Sequence, residues 1–550
     1  MPWGILEDKH MEHVPGTVVL ADQSDVPPEF QDVPREILKH ASDRYSSVIL
    51  VPQPSDSPND PLNWPTWQKD AILVIVGLSA AVVGAYGPML SPGFVEISAA
   101  LGITINTLSQ ATAWVILLIG ISLFIFNPLA KKYGRRPVYV ICSIIMLSGS
   151  LWGGFAKDYK SFLGSRIWSG LGMAPYEVLV QCTIADMYYV HQRATRIAAW
   201  NMFLLCGISG GALIAGYIIQ DQGWQWTFIW CAILFGALLP LVFFFVPETA
   251  YNRPNPLQRL VDTRARHEKP DDAGNKNEVV EYKENVTRSP ENGEQLAETK
   301  DPYLRSLRMY HGVYTQTSLW KIFLRPVVVF WYPAVLWAFL LYGATLTWIV
   351  VFSVVNAAIF TAPPYNFSVS ETGLISVSPF VLTFIGEVIS GPLNDRVCLW
   401  LAKKNHGIYE PEFRLATIPV PLLIGVVGFY GFGATIHFQT HWIGPVLCFG
   451  LANMSLAFAN GCVFGYVIDA HKDLSEEAFV AINARNFLTF GLTYFVNDWL
   501  AKDGVLAVFN VLGSIFVAVN LLTIPLWIFG KRIRGFIARS NKLQKFMHED

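Results

Sequence analysis

The chain has 550 residues, 52% of them hydrophobic and 15% charged, with a mean hydropathy of +0.37. Soluble domains carry about a quarter charged residues, so this composition points to an integral membrane protein. A formal net charge of −2 gives no electrostatic case for a nucleic-acid partner.

Residues 1–68 are Pro-rich and acidic and contain no apolar signal-like stretch. They predict a disordered cytoplasmic tail. A helix needs about 20 apolar residues to cross a bilayer. Six such runs follow, near 70–94, 107–130, 138–156, 161–182, 197–219 and 226–246. Residues 250–324 are dense in Asp, Glu, Lys, Arg and Asn and predict a solvated cytoplasmic linker. Six further runs lie near 326–352, 372–393, 416–436, 443–467, 484–500 and 505–529, the eleventh being short and polar, and residues 531–550 form a basic tail. The expected architecture is therefore all-α, with twelve transmembrane helices in two six-helix halves, 69–249 and 325–530.

Charge orients the runs. Lys131, Lys132, Arg135, Arg136, Arg193, Arg196, Arg396, Lys403, Lys404, Arg414 and Lys472 fall in alternate loops, whereas the opposite loops hold little beyond Lys157, Lys160 and Lys502. An excess of Lys and Arg marks cytoplasmic loops, which places both termini and the Lys531-Arg532-Ile533-Arg534 cluster in the cytoplasm. The seven cysteines sit in or beside apolar runs and read as packing residues rather than a disulfide or metal framework.

A repeat supports the duplication. Asn127-Pro128-Leu129-Ala130-Lys131-Lys132, leading into Tyr133-Gly134-Arg135-Arg136-Pro137, follows span 2. Gly391-Pro392-Leu393-Asn394-Asp395-Arg396 follows span 8. Similar loops six spans apart fit halves related by a pseudo-two-fold axis along the membrane normal.

With these loops, five further features carry a resemblance. They are Asp60-Pro61-Leu62-Asn63-Trp64 before span 1, Arg166, Gly170, Gly172 and Ala174 in span 4, and Asp186, His191, Gln192 and Arg193 after it. Pro247-Glu248-Thr249 follows span 6, and Gly407-Ile408-Tyr409-Glu410-Pro411-Glu412-Phe413-Arg414-Leu415 follows span 8. The chain resembles the major facilitator superfamily, and within it the fungal-type drug:proton antiporter branch with twelve spans. It departs from the family pattern at Asn127, where Gly is usual, at Lys131, where Asp is usual, and at Ala212, where Pro is expected among Gly207, Gly210, Gly211 and Gly216. In the family a loop carboxylate after span 2 or span 8 clamps the cytoplasmic side, against basic residues and helix N-termini of the other half. Here the resemblance implies one asymmetric clamp at Asp395, with Arg396, Arg193, Arg196, Gly134 and Arg135 as gating residues. Asp395→Asn is then expected to impair transport more than Lys131→Ala.

Polar residues inside the spans mark the candidate site, because an intramembrane ionisable group is costly and usually faces a bundle interior or a wet cavity. Successive helical residues turn about 100 degrees. That places Arg166, Ser169, Gly170, Met173, Glu177 and Gln181 on one face of span 4, and Ser376, Thr383, Glu387, Ser390 and Asn394 on one face of span 8. Tyr342 and Asn356 in span 7, Asn453 and Asn460 in span 10, and Asn486 in span 11 complete the set. Arg166, Glu177, Glu387, Thr383, Tyr342, Asn356, Asn453, Asn460 and Asn486 are thus expected to line a proton and substrate cavity. The alternative for such stripes is helix-to-helix hydrogen bonding alone. Glu387 lies roughly 7 Å from the midplane of its span and is the expected proton- or cation-binding group. Spans 3, 6 and 9 carry no internal charge, which suits a peripheral place.

Asn366-Phe367-Ser368 matches a glycosylation acceptor in an outer loop. No P-loop, metal-spaced His/Cys cluster or G-x-S-x-G elbow occurs, so neither an enzyme nor a cofactor or metal is expected. The partners expected are a small-molecule substrate, protons and the lipid bilayer. The resemblance implies proton-coupled antiport exporting a drug-like compound, secondary metabolite or organic cation, at the plasma membrane. A proton-coupled uptake carrier for a cationic metabolite such as a polyamine, and a transporter-like receptor that does not transport, stand as alternatives.

Overall fold

A computed structural model describes residues 4–8, 10–11, 14–19, 50, 52–55, 57–253, 302–471 and 474–540. The first half contains α1 (Thr66–Tyr86), α2 (Phe94–Leu101), α3 (Ile105–Tyr133), α4 (Arg135–Gly154), α5 (Tyr159–Met187), α6 (Val190–Gln222) and α7 (Trp224–Phe245). After the short α8 (Tyr303–Ser306) come α9 (Leu319–Phe330), α10 (Pro333–Phe360), α11 (Val369–Leu374), α12 (Val377–Lys404), α13 (Pro419–His437) and α14 (Ile443–Ala470). The chain then runs through α15 (Ser475–Asn483), α16 (Arg485–Leu521) and α17 (Thr523–Arg539), and two-residue strands β1 (Val18–Val19) and β2 (Ile408–Tyr409) pair antiparallel. Among the described residues, ten helical stretches are long and apolar enough to cross a membrane. The longest, Ser475–Arg539, has 65 residues, far more than one crossing needs, and it is interrupted at Gly504, whose φ of 80° leaves the helical region. The polar α5 is not among the ten, although at 29 residues it is long enough.

The two bundles meet along α3 with α16 and along α6 with α11 and α12. Small residues allow the closest approaches. A Cβ on Gly207 would collide with Ala81 of α1, and one on Gly216 would lie 2.9 Å from Gly373 Cα across the halves. The outward faces of α4, α7 and α13 carry exposed Ile144, Phe245 and Leu423, as helices against lipid should.

Several boundaries differ from the sequence reading. Span 1 ends at Tyr86 rather than near 94, because Pro88 and Pro92 break the helix and Pro92 opens a 3-10 turn. Span 7 begins at Pro333. The apolar residues before it form a separate helix, α9, against α3 and α15, with Trp320 and Trp331 exposed as interfacial aromatics.

The described parts of the N-terminal segment are ordered, against the expectation of a disordered tail. Ile5 is buried among Cys398, Leu401, Ala402 and Phe413, Leu6 N donates to Ile528 O at 2.9 Å, and Thr17 Oγ1 donates to Glu410 at 2.7 Å. Asp60 is buried against Arg253 at 3.0 Å, so the start of the linker is also held. Anchors of one or two residues vanish in a composition average. The basic tail is likewise helical to Arg539. Lys531 pairs with Glu410 at 2.7 Å, and Arg534 reaches Glu410 at 3.0 Å and Glu412 at 2.8 Å, which accounts for both acids of the Gly407–Leu415 motif. Residues 20–49, 254–301 and 541–550 lie outside the described structure.

His471 follows α14 and packs on Tyr332, ring centroids 5.2 Å apart. Burial, and then the Arg534 charge, push its pKa down to about 4. The unfolded chain takes up that proton near pH 6.5, so the stability from a neutral His471 is complete above that pH. It drains away as pH falls toward about 4. Thermal melting in detergent should therefore show a decline over that window that His471→Gln reduces. An identical slope in the variant would contradict this.

Candidate functional site

A cavity of about 120 Å³ lies between the halves, with walls from α1, α3, α5, α6, α10, α12, α14 and α16. Its walls are mostly aliphatic, including Val115, Ile116, Ile119, Leu204, Ile208, Leu346 and Ile349. Five of the residues chosen from the sequence line it: Glu177, Tyr342, Thr383, Asn453 and Asn486. Asn356 lines an adjoining smaller recess that shares Ser353 and Asn453 with it. Asn460 is buried on α14 with its side-chain amide beside the Glu387 carboxyl.

Two expected cavity residues sit elsewhere. Arg166 is fully buried inside the first half. It donates to Tyr86 O at 2.9 Å and Gly87 O at 3.1 Å, with its guanidinium over the Tyr86 ring. These carbonyls belong to the C-terminal end of α1, which lacks intrahelical donors and carries partial negative charge. Arg166 therefore closes a helix end rather than lining the cavity. Glu387 lies beside the cavity, 8% exposed, and accepts from Asn201 Nδ2 of α6 in the other half at 2.5 Å.

Two residues were missed from the sequence, Arg485 and Asn201; Arg485 is the one in the cavity wall. It is 4% exposed and lines the cavity. It pairs with Glu177 across the halves at 3.5 Å, donates to Asn486 Oδ1 at 2.8 Å and stands 5.0 Å over the Tyr342 ring. A signal existed, since Arg485 precedes Thr489 and Thr493 at four-residue steps on the polar face of that helix. It lay at the edge of the apolar run, where a basic residue reads as a loop charge. Asn201 was missed as a single amide in a Gly-rich span.

The charges at the basic end, where the Lys- and Arg-rich loops lie, correct the gating expectation. Asp395 is 60% exposed and, among the described residues, pairs with Arg414 of its own half, at 3.7 Å. Arg414 in turn holds Asp469 at 2.5 Å. Arg193 donates to Tyr188 O and Ala185 O, and Arg196 approaches Asp70 at 3.8 Å, all inside the first half, while Arg396 is exposed. At this end, among the described residues, the ion pairs that cross the halves run from Lys131 to Glu477 at 2.5 Å and to Glu476 at 3.7 Å, and from Arg135 to Glu476 at 2.6 Å. The basic residue that replaces the family's Asp is thus itself paired across the halves, its acids supplied by α15. At the opposite end Asn106 donates to Asp498 at 2.9 Å and Asn497 to Ser109 at 3.0 Å. The cavity is bridged at both ends.

Gly134 joins α3 to α4. Its φ is 106°, and a Cβ there would collide with the Glu248 carboxylate. That carboxylate accepts from Arg135 N at 2.8 Å and Arg136 N at 3.1 Å, at the start of α4, where a negative charge is favoured. Gly134→Ala is expected to cost of order 1–3 kcal/mol, read as a lower melting temperature in detergent. A melt equal to wild type would refute this. Asn366 is exposed with φ of 50°, and Ser368 of its triplet caps α11.

A sequence model described as Major Facilitator Superfamily matches residues 72–496. An uncharacterized MFS-type transporter of Schizosaccharomyces pombe is 26% identical, the alignment covering 97% of this chain and 94% of the relative. Protein HOL1 of Saccharomyces cerevisiae is 26% identical over 96% of this chain and 97% of its own. The efflux pump radE of Floropilus chiversii is 24% identical over 87% and 84%. Among solved structures, the xylose transporter XylE from E. coli superposes with a TM-score of 0.56 at 14% identity, over 84% of this chain and 98% of its own, a likeness of fold alone. With all-helical halves around a central cavity and a family match over most of its length, this chain belongs to the major facilitator superfamily.

Proposed function

We propose that this secondary transporter exchanges protons for a small organic molecule with a large apolar body and exports it. The observation that carries the reading is Glu387, a buried carboxyl whose partner Asn201 belongs to the other half. A proton arriving at or leaving Glu387 alters a contact between the halves, so charge state and opening are linked. The aliphatic walls suit an apolar body better than a polyhydroxylated one, and a relative named as an efflux pump supports the direction. The same reading has twelve crossings in the plasma membrane, the basic end in the cytoplasm, and Asn366 outside as a glycan acceptor.

The test is substrate-induced pH change in proteoliposomes of the purified protein, challenged with a metabolite library. Export by exchange moves protons opposite to the compound. Protons moving with the compound would show uptake by symport, and a bound compound with no counterflow would show a receptor. Either result defeats the proposal.

A further inference from the structure

We propose that the floor of the cavity is a binding site for an amphoteric ligand, one that carries a cationic and an anionic group close together beside an apolar body. The inference rests on the cavity being the transport site and names the chemical class it takes. Glu177 stands on α5 of one half and Arg485 on α16 of the other, with Oε2 and Nη2 3.5 Å apart. Both lie in the cavity wall. The pair is incompletely satisfied: Glu177 Oε2, Arg485 Nε and Asn486 Nδ2 are buried and have no hydrogen-bond partner among the described residues. Arg485 Nη1 occupies Asn486 Oδ1, which leaves the Asn486 NH2 group as a donor beside the guanidinium. Arg485 and Asn486 are 4% and 1% exposed. The Tyr342 ring under the guanidinium holds its plane. The floor therefore presents an unfilled acceptor from one half and two unfilled donors from the other.

Electrostatics then selects the ligand. A ligand with only a cation would take Glu177 and strand Arg485 in an aliphatic cavity. A ligand with only an anion would take Arg485 and strand Glu177. An uncompensated buried charge is strongly unfavourable, more so than the intact pair. A neutral ligand gains nothing from opening the pair. A molecule with both charges gives each residue a new partner: its ammonium goes to Glu177, and its carboxylate to Arg485 Nε and Asn486 Nδ2, with charge-assisted bonds at each. Because the protein charges start 3.5 Å apart, the two ligand charges must be near neighbours, as on the head of an amino acid. The aliphatic wall of Val115, Ile119, Leu346 and Ile349 receives the remainder. Binding replaces a direct contact between the halves by a bridged one.

The experiment titrates purified full-length protein in detergent with three molecules that share an indole body: tryptophan, tryptamine and indole-3-propionate. Binding is read by thermophoresis. Tryptophan is expected to bind at least tenfold more tightly than either singly charged analogue. Glu177→Gln should move the preference toward indole-3-propionate, and Arg485→Gln toward tryptamine, by a similar factor. Equal binding of tryptamine or indole-3-propionate by the wild type, or no binding of tryptophan, overturns the proposal, and neither result depends on a variant folding. Correct ranking without proton movement in proteoliposomes would defeat proton exchange and leave the ligand class standing. Proton movement with the wrong ranking would do the reverse.

Discussion

Glu387→Gln is expected to lower net transport at least tenfold and to flatten its pH dependence, while substrate counterflow persists. Gln has nearly the size of Glu, and its amide oxygen can still accept from Asn201, so the contact between α12 and α6 survives. What the variant lacks is a proton to exchange. At 8% exposure, a permanent unpaired charge there would be expensive, so the carboxyl must be neutralised or partnered at each stage of a cycle. Removing that requirement should uncouple exchange from the proton gradient without preventing the halves from moving. The measurement is substrate-driven pH change in proteoliposomes, with surface expression checked in cells. Unchanged transport with an unchanged pH profile would leave Glu387 a helix-to-helix hydrogen bond and nothing more.

Lys131→Glu is expected to lower the transport rate by a similar factor, and the double exchange Lys131→Glu with Glu477→Lys to restore most of it. Lys131 lies between Glu477 and Glu476. Reversing its charge puts a third carboxylate beside Glu476 and Glu477, while Arg135 is already shared with Asp186 at 3.3 Å, and the like charges drive the basic end apart. Restoring one cation on the opposite side re-forms the pair with its polarity reversed. Coupling between residues in direct contact typically amounts to about 0.5–3 kcal/mol in a double-mutant cycle, and partial exposure of Lys131 puts this pair in the lower part of that range. Transport rates of the two single variants and the double decide it, and simple additivity would remove the clamp. Asp395→Asn, whose carboxylate faces solvent and its own half, is now expected to have the smaller effect.

The sequence by itself determined the membrane class and the all-helical fold, and it picked out several residues that line one cavity. Hydropathy and charge are summed over local windows, and helical period is set by backbone geometry that every residue shares. Glu177, Tyr342, Thr383, Asn453 and Asn486, chosen from spacing alone, therefore fall on the wall of one cavity. Only the tertiary structure decided which charge meets which. Arg166 and Arg485 are both arginines on polar helical faces. One ends on the carbonyls of Tyr86 and Gly87 and the other on Glu177. The same holds at the basic end, where Asp395 pairs within its own half while Glu476 and Glu477, which reach Lys131 across the halves, stand more than 300 residues from it. Energies of buried charges depend on partners within about 4 Å, and those partners come from helices remote in sequence, so no local pattern encodes them.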